Sequence, residues 1–319
     1  MKPVPITSGE GKEFLDSFKP STRKVYASGL GIFLHFYRET GKGKKVEDFL
    51  NAVEEDMQRP RRERKRVARN VLKEFISWLK DRKYTPKTIR TYISTIQSLA
   101  NYYDISISTR HVNLPSSQPV SKKYPWTLEE LGEFISGITD LELKSIAATA
   151  FQSGLGLAEV LNITWGDIKR EYQEGVVPLC FDFSREKTDV PFMTFIGSFG
   201  FSYLKEYLAG RERMKDADPI YNMSEVVVEL RFRGLAKKKL GSWEGYNPMR
   251  PHSLRSAFRT FLGDERVSPE FIEFWMGHRA PEQKRVYVSK SREGWRKTYA
   301  QHEHCLTPKS VSVPVERDA

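Results

Sequence analysis

A few residues in the second half of the 319-residue chain have side chains suited to binding an anion and moving protons. His252 and Arg255 lie three residues apart at the start of an expected helix, and therefore on one face of it. His278 follows a Trp-Met-Gly segment, Tyr287 comes nine residues later, and Lys187 lies between two β-prone runs. Imidazoles exchange protons near neutral pH, and arginine presents a planar two-pronged donor. Each piece is a weak signal alone, but their order and spacing together are a stronger one.

The elements that must position these residues are mostly helical. Thr127, with a glutamate three residues on, forms a capping box before residues 128–137, and apolar helices are expected over 141–153 and 157–164. The runs 176–183 and 190–196 are β-prone and flank a polar connection, which predicts a β-hairpin with Lys187 at its tip. Helical patterns then continue to about residue 305. The polar segment 307–319 is expected to be a flexible tail.

The first half of the chain is predicted to be entirely helical. Four helices are expected, the last of them with Thr85 as N-cap and Pro86 in its first turn. The others are predicted at 21–41, 46–57 and 61–80. The polar stretch 106–124 indicates an exposed connection. The fold class is therefore mainly α with a small β-hairpin (α+β), and the expected domains are 1–114, a linker at 115–124, and 125–306.

Positive charge is concentrated in the first half. Residues 1–124 hold 25 Lys and Arg against 13 Asp and Glu, a net of +12, whereas the remainder holds 27 against 28. A polyanion-binding domain and a merely solvated basic surface both fit this imbalance. The run over 61–69 favours an anionic partner, because cations at a helix N-terminus oppose the helix dipole. The candidate contacts to such a partner are Arg61, Arg62, Arg64, Lys65, Arg66, Arg69, Lys87 and Arg90.

Taken in order, these segments resemble the tyrosine recombinase (phage-type integrase) superfamily. The resemblance rests on four N-terminal helices, a linker, Ser-Gly-Leu at 153–155, Trp-Gly-Asp-Ile at 165–168, the Lys-Thr hairpin, His-Ser-Leu-Arg at 252–255, Met-Gly-His at 276–278, and Tyr287. It implies a helical core-binding domain followed by a catalytic domain. It also implies a DNA-cutting and rejoining enzyme that passes through a 3′-phosphotyrosyl intermediate and a Holliday junction.

The resemblance assigns a role to each candidate. Tyr287 would attack a backbone phosphate, Lys187 would protonate the departing 5′-oxygen, and Arg255, His252 and His278 would surround the phosphate. Tyr299 is the competing tyrosine, but its spacing from His278 does not fit the family. No metal or other cofactor is required. The expected partners are double-stranded DNA sites and three further copies in a tetramer, to which a C-terminal helix anchored by Trp295 and Tyr299 could dock; packing within its own chain is the alternative.

One position departs from the family pattern. The segment that should carry the first catalytic arginine reads Ser153-Gly154-Leu155-Gly156-Leu157-Ala158-Glu159, which places glycine at 156. Glu159, a supporting residue, and the 165–168 stretch hold the register on both sides, so no local realignment restores an arginine. Loss of a phosphate-facing arginine costs about 10³- to 10⁵-fold in rate. The chain is therefore expected to be impaired in cleavage.

Two other functions remain open on this scaffold: a non-catalytic, sequence-specific DNA-binding protein, and strand relaxation of the type IB topoisomerase kind. Composition excludes other classes. No apolar run of about 18 residues occurs, and the N-terminus lacks an apolar signal segment, so we expect an intracellular, nucleoid-associated protein, native to the cell or carried by a mobile element. Cys180 and Cys305 are the two cysteines, too few for a disulfide framework or a zinc site.

Overall fold

A computed structural model describes residues 2–116, 124–185, 190–211, 214–241, 247, 249–278 and 290–309. The chain divides into two compact units, Met1–Lys122 and Lys123–Ala319, which are described separately. The predicted fold class is confirmed, since the described residues are mainly helical with one two-stranded antiparallel sheet. None of the described helices is long and apolar enough to span a bilayer.

The first unit packs five helices around one apolar core. Its centre is aromatic, with Phe33 touching Phe49 and Phe75 edge-on at 5.0 and 5.3 Å between ring centroids. Thr85 caps the last helix as predicted, its hydroxyl accepting from the Thr88 N–H at 3.3 Å. The helices are α1 (Gly9–Asp16), α2 (Pro20–Glu39), α3 (Val46–Gln58), α4 (Val67–Asp81) and α5 (Pro86–Tyr102).

Two sequence-based boundaries in this unit were wrong. Helix α1 was not anticipated, because its eight residues contribute few apolar positions: Phe14 and Leu15 are its buried large side chains. The helix predicted over 61–80 begins six residues later, at Val67, after Arg66 adopts a left-handed conformation with φ of 58°. The basic run therefore lies mostly in the loop before α4, outside the helix itself.

The second unit combines nine described helices with the hairpin. The capping box at Thr127 is present, with the Glu130 carboxylate accepting from the Thr127 N–H at 3.0 Å. Its elements are α6 (Leu128–Ser136), α7 (Leu141–Ser153), α8 (Leu157–Leu161), α9 (Trp165–Gln173), β1 (Leu179–Arg185), β2 (Val190–Ile196), α10 (Ser198–Leu208), α11 (Glu225–Leu240), α12 (Pro251–Asp264), α13 (Pro269–Trp275) and α14 (Arg292–His302).

The predicted hairpin is present and its base is held to the helical core. Strand β1 pairs antiparallel with β2, with Phe183 opposite Phe192. The buried Thr194 hydroxyl donates to the Ser153 carbonyl at 2.5 Å, at the last residue of α7. This bond joins the base of the hairpin to the segment 153–159, which the family pattern marks as catalytic.

Helix α14 packs inside its own unit. Trp295 and Tyr299 are each 1% exposed, and Trp295 stacks on Phe274 with ring centroids 4.2 Å apart. Of the two arrangements considered from the sequence, the single chain adopts intramolecular packing. Tyr299 donates its hydroxyl to the Gln152 carbonyl at 2.8 Å, and burial raises its pKa well above the usual value.

A buried ion pair fastens α14 to the rest of the unit. Arg296 donates from both terminal nitrogens to Glu171 of α9, at 2.6 and 3.2 Å, and also to the Pro178 carbonyl. The Cys180 N–H donates to the same carboxylate at 2.9 Å. Burial acts to raise the pKa of Glu171, but the Arg296 and Cys180 donors outweigh it and lower the pKa below the usual range. These contacts satisfy a carboxylate whose side chain is only 9% exposed.

Replacing Arg296 with alanine is expected to reduce the free energy of unfolding by about 3 kcal/mol, because it leaves the buried Glu171 with only the more distant Arg292, at 3.8 Å, as its cation. Urea denaturation measures this loss. It should be full near neutral pH and shrink in acid, where a protonated Glu171 has no charge to leave unpaired. Arg231→Ala is the matched control: its pair with Asp140 is exposed and should contribute less than about 1 kcal/mol. Equal losses in the two variants would contradict the assignment.

Candidate active site

Arg255 lies at the centre of a cluster formed by three separate segments. Its side chain is buried, with 5% of the residue exposed, on the first turn and a half of α12. One terminal nitrogen donates to the Gly154 carbonyl, and the other donates to the Met276 carbonyl at 2.7 Å and to His278 Nε2 at 2.8 Å. The sequence-predicted pair of Arg255 and His278 is thus brought together, with the guanidinium held at both ends.

Two glycine turns supply the carbonyl side of this cluster. Gly154 ends α7 with φ of +65°, and Gly277 follows α13 with φ of +64°, conformations that side chains rarely adopt. A Cβ on Gly154 would lie 2.5 Å from the Phe258 ring, and one on Gly277 would lie 3.0 Å from the Phe192 ring. Both turns therefore require glycine for backbone conformation and for space, and both place a carbonyl against Arg255.

A further carboxylate holds the opposite nitrogen of His278. Glu273 of α13 contacts His278 Nδ1 through Oε2, and its Oε1 pairs with Arg259 Nη2 at 2.7 Å. Neither Glu273 nor Arg259 was identified from the sequence. The available signal was their spacing, since Arg259 lies one helical turn after Arg255 and Glu273 lies five residues before His278.

Gly156 lies beside the cluster at the N-cap of α8. Its backbone, with φ of −75° and ψ of 160°, is in a region open to every residue type. The Gly156 N–H donates to Glu159 Oε2 at 2.6 Å, and the same oxygen lies 3.7 Å from Arg255 Nη1. The structure therefore places both residues next to Arg255, and nothing in the local backbone demands a glycine at 156.

The remaining predicted catalytic residues divide into two groups. His252 is exposed one turn before Arg255 on α12, on the same face of the helix. Lys187 and Tyr287 lie outside the described residues. Among the ranges given above, no group of three His, Cys, Asp or Glu side chains is arranged to hold a metal ion.

The basic residues of the first unit lie on and around one loop. Arg61, Arg62 and Arg64 are exposed, as are Lys65 and Arg66, between the end of α3 and the start of α4. Asp56, at 7% exposure, anchors this loop by accepting from the Lys65 N–H at 2.6 Å and the Val67 N–H at 3.0 Å. The anchored backbone leaves the neighbouring side chains directed to solvent.

Asp56→Ala is expected to reduce the free energy of unfolding by about 1 to 2 kcal/mol, the usual effect of losing a helix N-terminal cap. Burial acts to raise the pKa of Asp56, but the backbone donors at 65–67 lower it overall. Its contribution should therefore be complete above the ordinary aspartate range and disappear as pH falls through the lowered value. Thermal unfolding of this variant against Glu55→Ala, an exposed neighbour, measures the effect; a matching change in the control would contradict it.

The other three residues predicted to contact DNA differ in how exposed their side chains are. Lys87 is exposed on the first turn of α5, whereas Arg69 is half-buried in α4. Arg90 is also half-buried and donates from Nε to the Pro115 carbonyl at 2.7 Å. Part of the Arg90 side chain is thus committed to the unit's own backbone.

Comparison with known protein families identifies a match that includes the Arg255 cluster. The domain described as the phage integrase family matches residues 127–293, slightly more than half of the chain. The chain belongs to the phage integrase family. The resemblance to tyrosine recombinases inferred from the sequence is thereby confirmed, and the matched range holds the whole Arg255 cluster.

Curated relatives and solved structures agree with this membership. Tyrosine recombinase XerC of Halalkalibacterium halodurans is 24% identical over 253 residues, covering 72% of this chain and 80% of the relative. XerC of Natranaerobius thermophilus is 23% identical, covering 66% and 75%. The XerH recombinase bound to a difH substrate has a TM-score of 0.57 at 16% identity, covering 92% and 84%. The Tn1549 transposon integrase on transposon right-end DNA has a TM-score of 0.54 at 15% identity, covering 85% and 98%.

Proposed function

We propose that the chain is a site-specific DNA recombinase that cuts and rejoins DNA through Tyr287, with activity limited by Gly156. The enzyme would act on paired double-stranded sites as a homotetramer, in the compartment that holds the DNA of its host cell or mobile element. The observation that carries this proposal is Arg255. A guanidinium that is buried, held by two backbone carbonyls and in contact with a histidine is a preorganised site for an anion such as a DNA phosphate.

The proposed reaction exchanges one phosphodiester for another. The Tyr287 hydroxyl gives its proton to an imidazole of the site and its oxygen attacks phosphorus, the bond from phosphorus to the 5′-oxygen breaks, and Lys187 gives a proton to that oxygen. Because one ester bond replaces another, no ATP is needed. Arg255, with His252 and His278, would stabilise the negative charge that concentrates on the phosphoryl oxygens. Attack by the free 5′-hydroxyl of a partner strand reverses the step and produces a Holliday junction.

The assignment of Tyr287 is supported by the surroundings of its competitor. Tyr299 is 1% exposed and gives its hydroxyl proton to a backbone carbonyl of α7. Its pKa, raised by burial, opposes formation of the phenolate. Tyr299 therefore stabilises the fold, and Tyr287 remains the proposed nucleophile.

The exposed loop of the first unit is proposed to bind DNA phosphates. Replacing Arg61, Arg62 and Arg64 together with alanine should flatten the plot of log affinity against log salt by about 0.9 for each phosphate that is no longer neutralised. Fluorescence anisotropy over a range of salt concentrations measures the slope. Lys12, Lys42 and Arg231, each already paired with a carboxylate, form a control with the same change in net charge. A slope that changes equally in both triple variants would contradict the proposed role of the loop.

The alternative function that Gly156 supports is a DNA-binding protein without cleavage activity on the same scaffold. The discriminating experiment incubates the full chain with nicked suicide duplexes drawn from the DNA that flanks its gene. A covalent adduct that mass spectrometry maps to Tyr287, and that Tyr287→Phe abolishes, supports the recombinase. Salt-dependent binding without any adduct, even from Gly156→Arg, would favour the binding protein. Relaxation of supercoiled DNA without recombinant joints would instead indicate topoisomerase-like activity.

A further inference from the structure

Four side chains, closed by the backbone of α12, form a ring that includes His278. Arg255 and Arg259 lie one helical turn apart on α12. Arg255 contacts His278 Nε2 at 2.8 Å, His278 Nδ1 contacts Glu273 Oε2, and Glu273 Oε1 returns to Arg259 at 2.7 Å. His278 and Glu273 therefore each have a partner on both sides, and the imidazole is held by both of its nitrogens.

The ring determines which nitrogen of His278 carries the proton. A guanidinium has only N–H donors, so Nε2, which faces Arg255, must accept. The proton of the neutral imidazole is then on Nδ1, where the Glu273 carboxylate accepts it. The other tautomer would place an N–H against the Arg255 donor and a lone pair against a carboxylate, which is unfavourable at both contacts.

The ring runs from an exposed arginine to a buried one, with the His278 side chain 34% exposed. The Arg259 side chain is 61% exposed, Glu273 is 28% exposed and Arg255 is 6% exposed. Arg259 therefore holds Glu273 from the solvent side by one oxygen and leaves the other oxygen for His278. Because both arginines belong to α12, any rotation of the His278 ring must break a contact to a rigid helix.

We propose that Glu273 is a positioning residue that sets the tautomer and ring orientation of His278, with Arg259 holding the Glu273 carboxylate. The expected effect of Glu273 on strand cleavage rests on the proposed recombinase function, whereas its effect on the His278 tautomer does not. With Nδ1–H bound to Glu273, neutral His278 presents an Nε2 lone pair to Arg255, and this nitrogen must take up a proton before it can donate to the phosphate that Arg255 would bind. In this role Glu273 acts on the site through the histidine.

The direct test is ¹⁵N NMR of the full chain labelled in its histidine rings, at mildly alkaline pH. The chain has six histidines, and the resonances lost in His278→Gln assign the one of interest. We expect Nδ1–H in the unaltered protein and in Glu273→Gln, whose amide oxygen still accepts. We expect Nε2–H or a mixture of tautomers in Glu273→Ala, because an imidazole no longer held at Nδ1 can turn away from Arg255, the donor that otherwise keeps Nε2 unprotonated. Glu265→Ala, which removes the carboxylate beside the exposed His304, is the matched control and should leave His278 unchanged.

The second readout is the rate of covalent adduct formation, measured in the Gly156→Arg background. Glu273→Ala is expected to lower this rate about 10- to 100-fold, the range found for carboxylates that orient metal-bound histidines, with DNA affinity within about twofold. Glu273→Gln should recover most of the rate. A merely structural role would lower the melting temperature and the affinity instead, and glutamine would not restore the rate.

The outcomes separate the two proposals. An Nε2–H tautomer in the unaltered chain, or an unchanged tautomer in Glu273→Ala, would overturn the role of Glu273. Loss of activity in Glu273→Gln as large as in Glu273→Ala would also overturn it. A tautomer that responds as expected, in a chain of which no variant forms an adduct, would support the positioning role and count against the recombinase.

Discussion

Replacing Gly156 with arginine is expected to raise the rate of covalent adduct formation by about 10³- to 10⁵-fold, the usual contribution of an arginine facing a transferred phosphoryl group. The physical reason is that one guanidinium, Arg255, cannot contact all the phosphoryl oxygens on which charge concentrates. A second fork beside it would share that charge. Single-turnover cleavage of a suicide duplex measures the change.

The structure has room for this substitution. The Gly156 backbone lies in an ordinary extended region, so an arginine there introduces no strain. A Cβ at this position would lie 3.0 Å from Glu159 Oε2, the end of a flexible side chain that can move by a few tenths of an ångström. Glu159 would then be close enough to orient the new guanidinium. Because glycine is the better N-cap, a loss of about 1 kcal/mol in stability is expected.

Two further variants separate charge from shape. Gly156→Gln adds a long polar side chain without a charge and should give no gain. Gly156→Lys adds the charge without the planar fork and should give only part of the gain. If Gly156→Arg cleaves no faster than the unaltered chain, the missing arginine is not what limits activity.

Arg255→Lys is expected to lower cleavage by about 10³- to 10⁵-fold in the Gly156→Arg background. Lysine keeps the charge but has a single nitrogen, whereas Arg255 uses two nitrogens to reach Gly154, Met276 and His278 at once. At least one buried carbonyl would be left without its donor, at a cost of about 1 to 3 kcal/mol in stability. Adduct formation and urea denaturation together measure both effects.

DNA affinity provides the necessary contrast. Because most phosphate contacts are proposed to lie on the first unit, Arg255→Lys should change the dissociation constant far less than the cleavage rate. Arg170→Lys, the same substitution at an exposed position of α9, is the matched control and should leave both unchanged. A conservative exchange at Arg255 that preserves cleavage would contradict its role as the anion-binding centre.

The sequence predicted those parts of the fold that depend on local signals. Thr85 and Thr127 cap helices because their hydroxyls satisfy the first free N–H groups, and this chemistry is visible in the letters. The hairpin was equally clear from two β-prone runs around a polar connection. The start of α4 was not, because Asp56, eleven residues earlier, holds the Val67 N–H and decides where the helix begins.

The candidate site was predicted only in part, for the same reason. Arg255 and His278 follow from motifs, but the carbonyls that hold Arg255 belong to backbone whose position depends on the Gly154 and Gly277 turns. Glu273 and Arg259 look like solvated helix charges until the fold brings them to His278. Interactions made across elements are set by packing, which spacing alone does not encode.

The Arg255 cluster is made of a local half and a distant half. His278 and Arg255 are 23 residues apart in sequence, whereas the Gly154 carbonyl and Arg255 are 101 apart. Closing the longer loop costs about 1.3 kcal/mol more in chain entropy. The Arg255–His278 contact therefore depends less on the distant part of the chain, and it can persist when the segment around Gly154 changes. An ancestral enzyme on this scaffold that lost its arginine at 156 through one mutation would therefore have kept the rest of the site assembled. A single reverse mutation would restore the arginine.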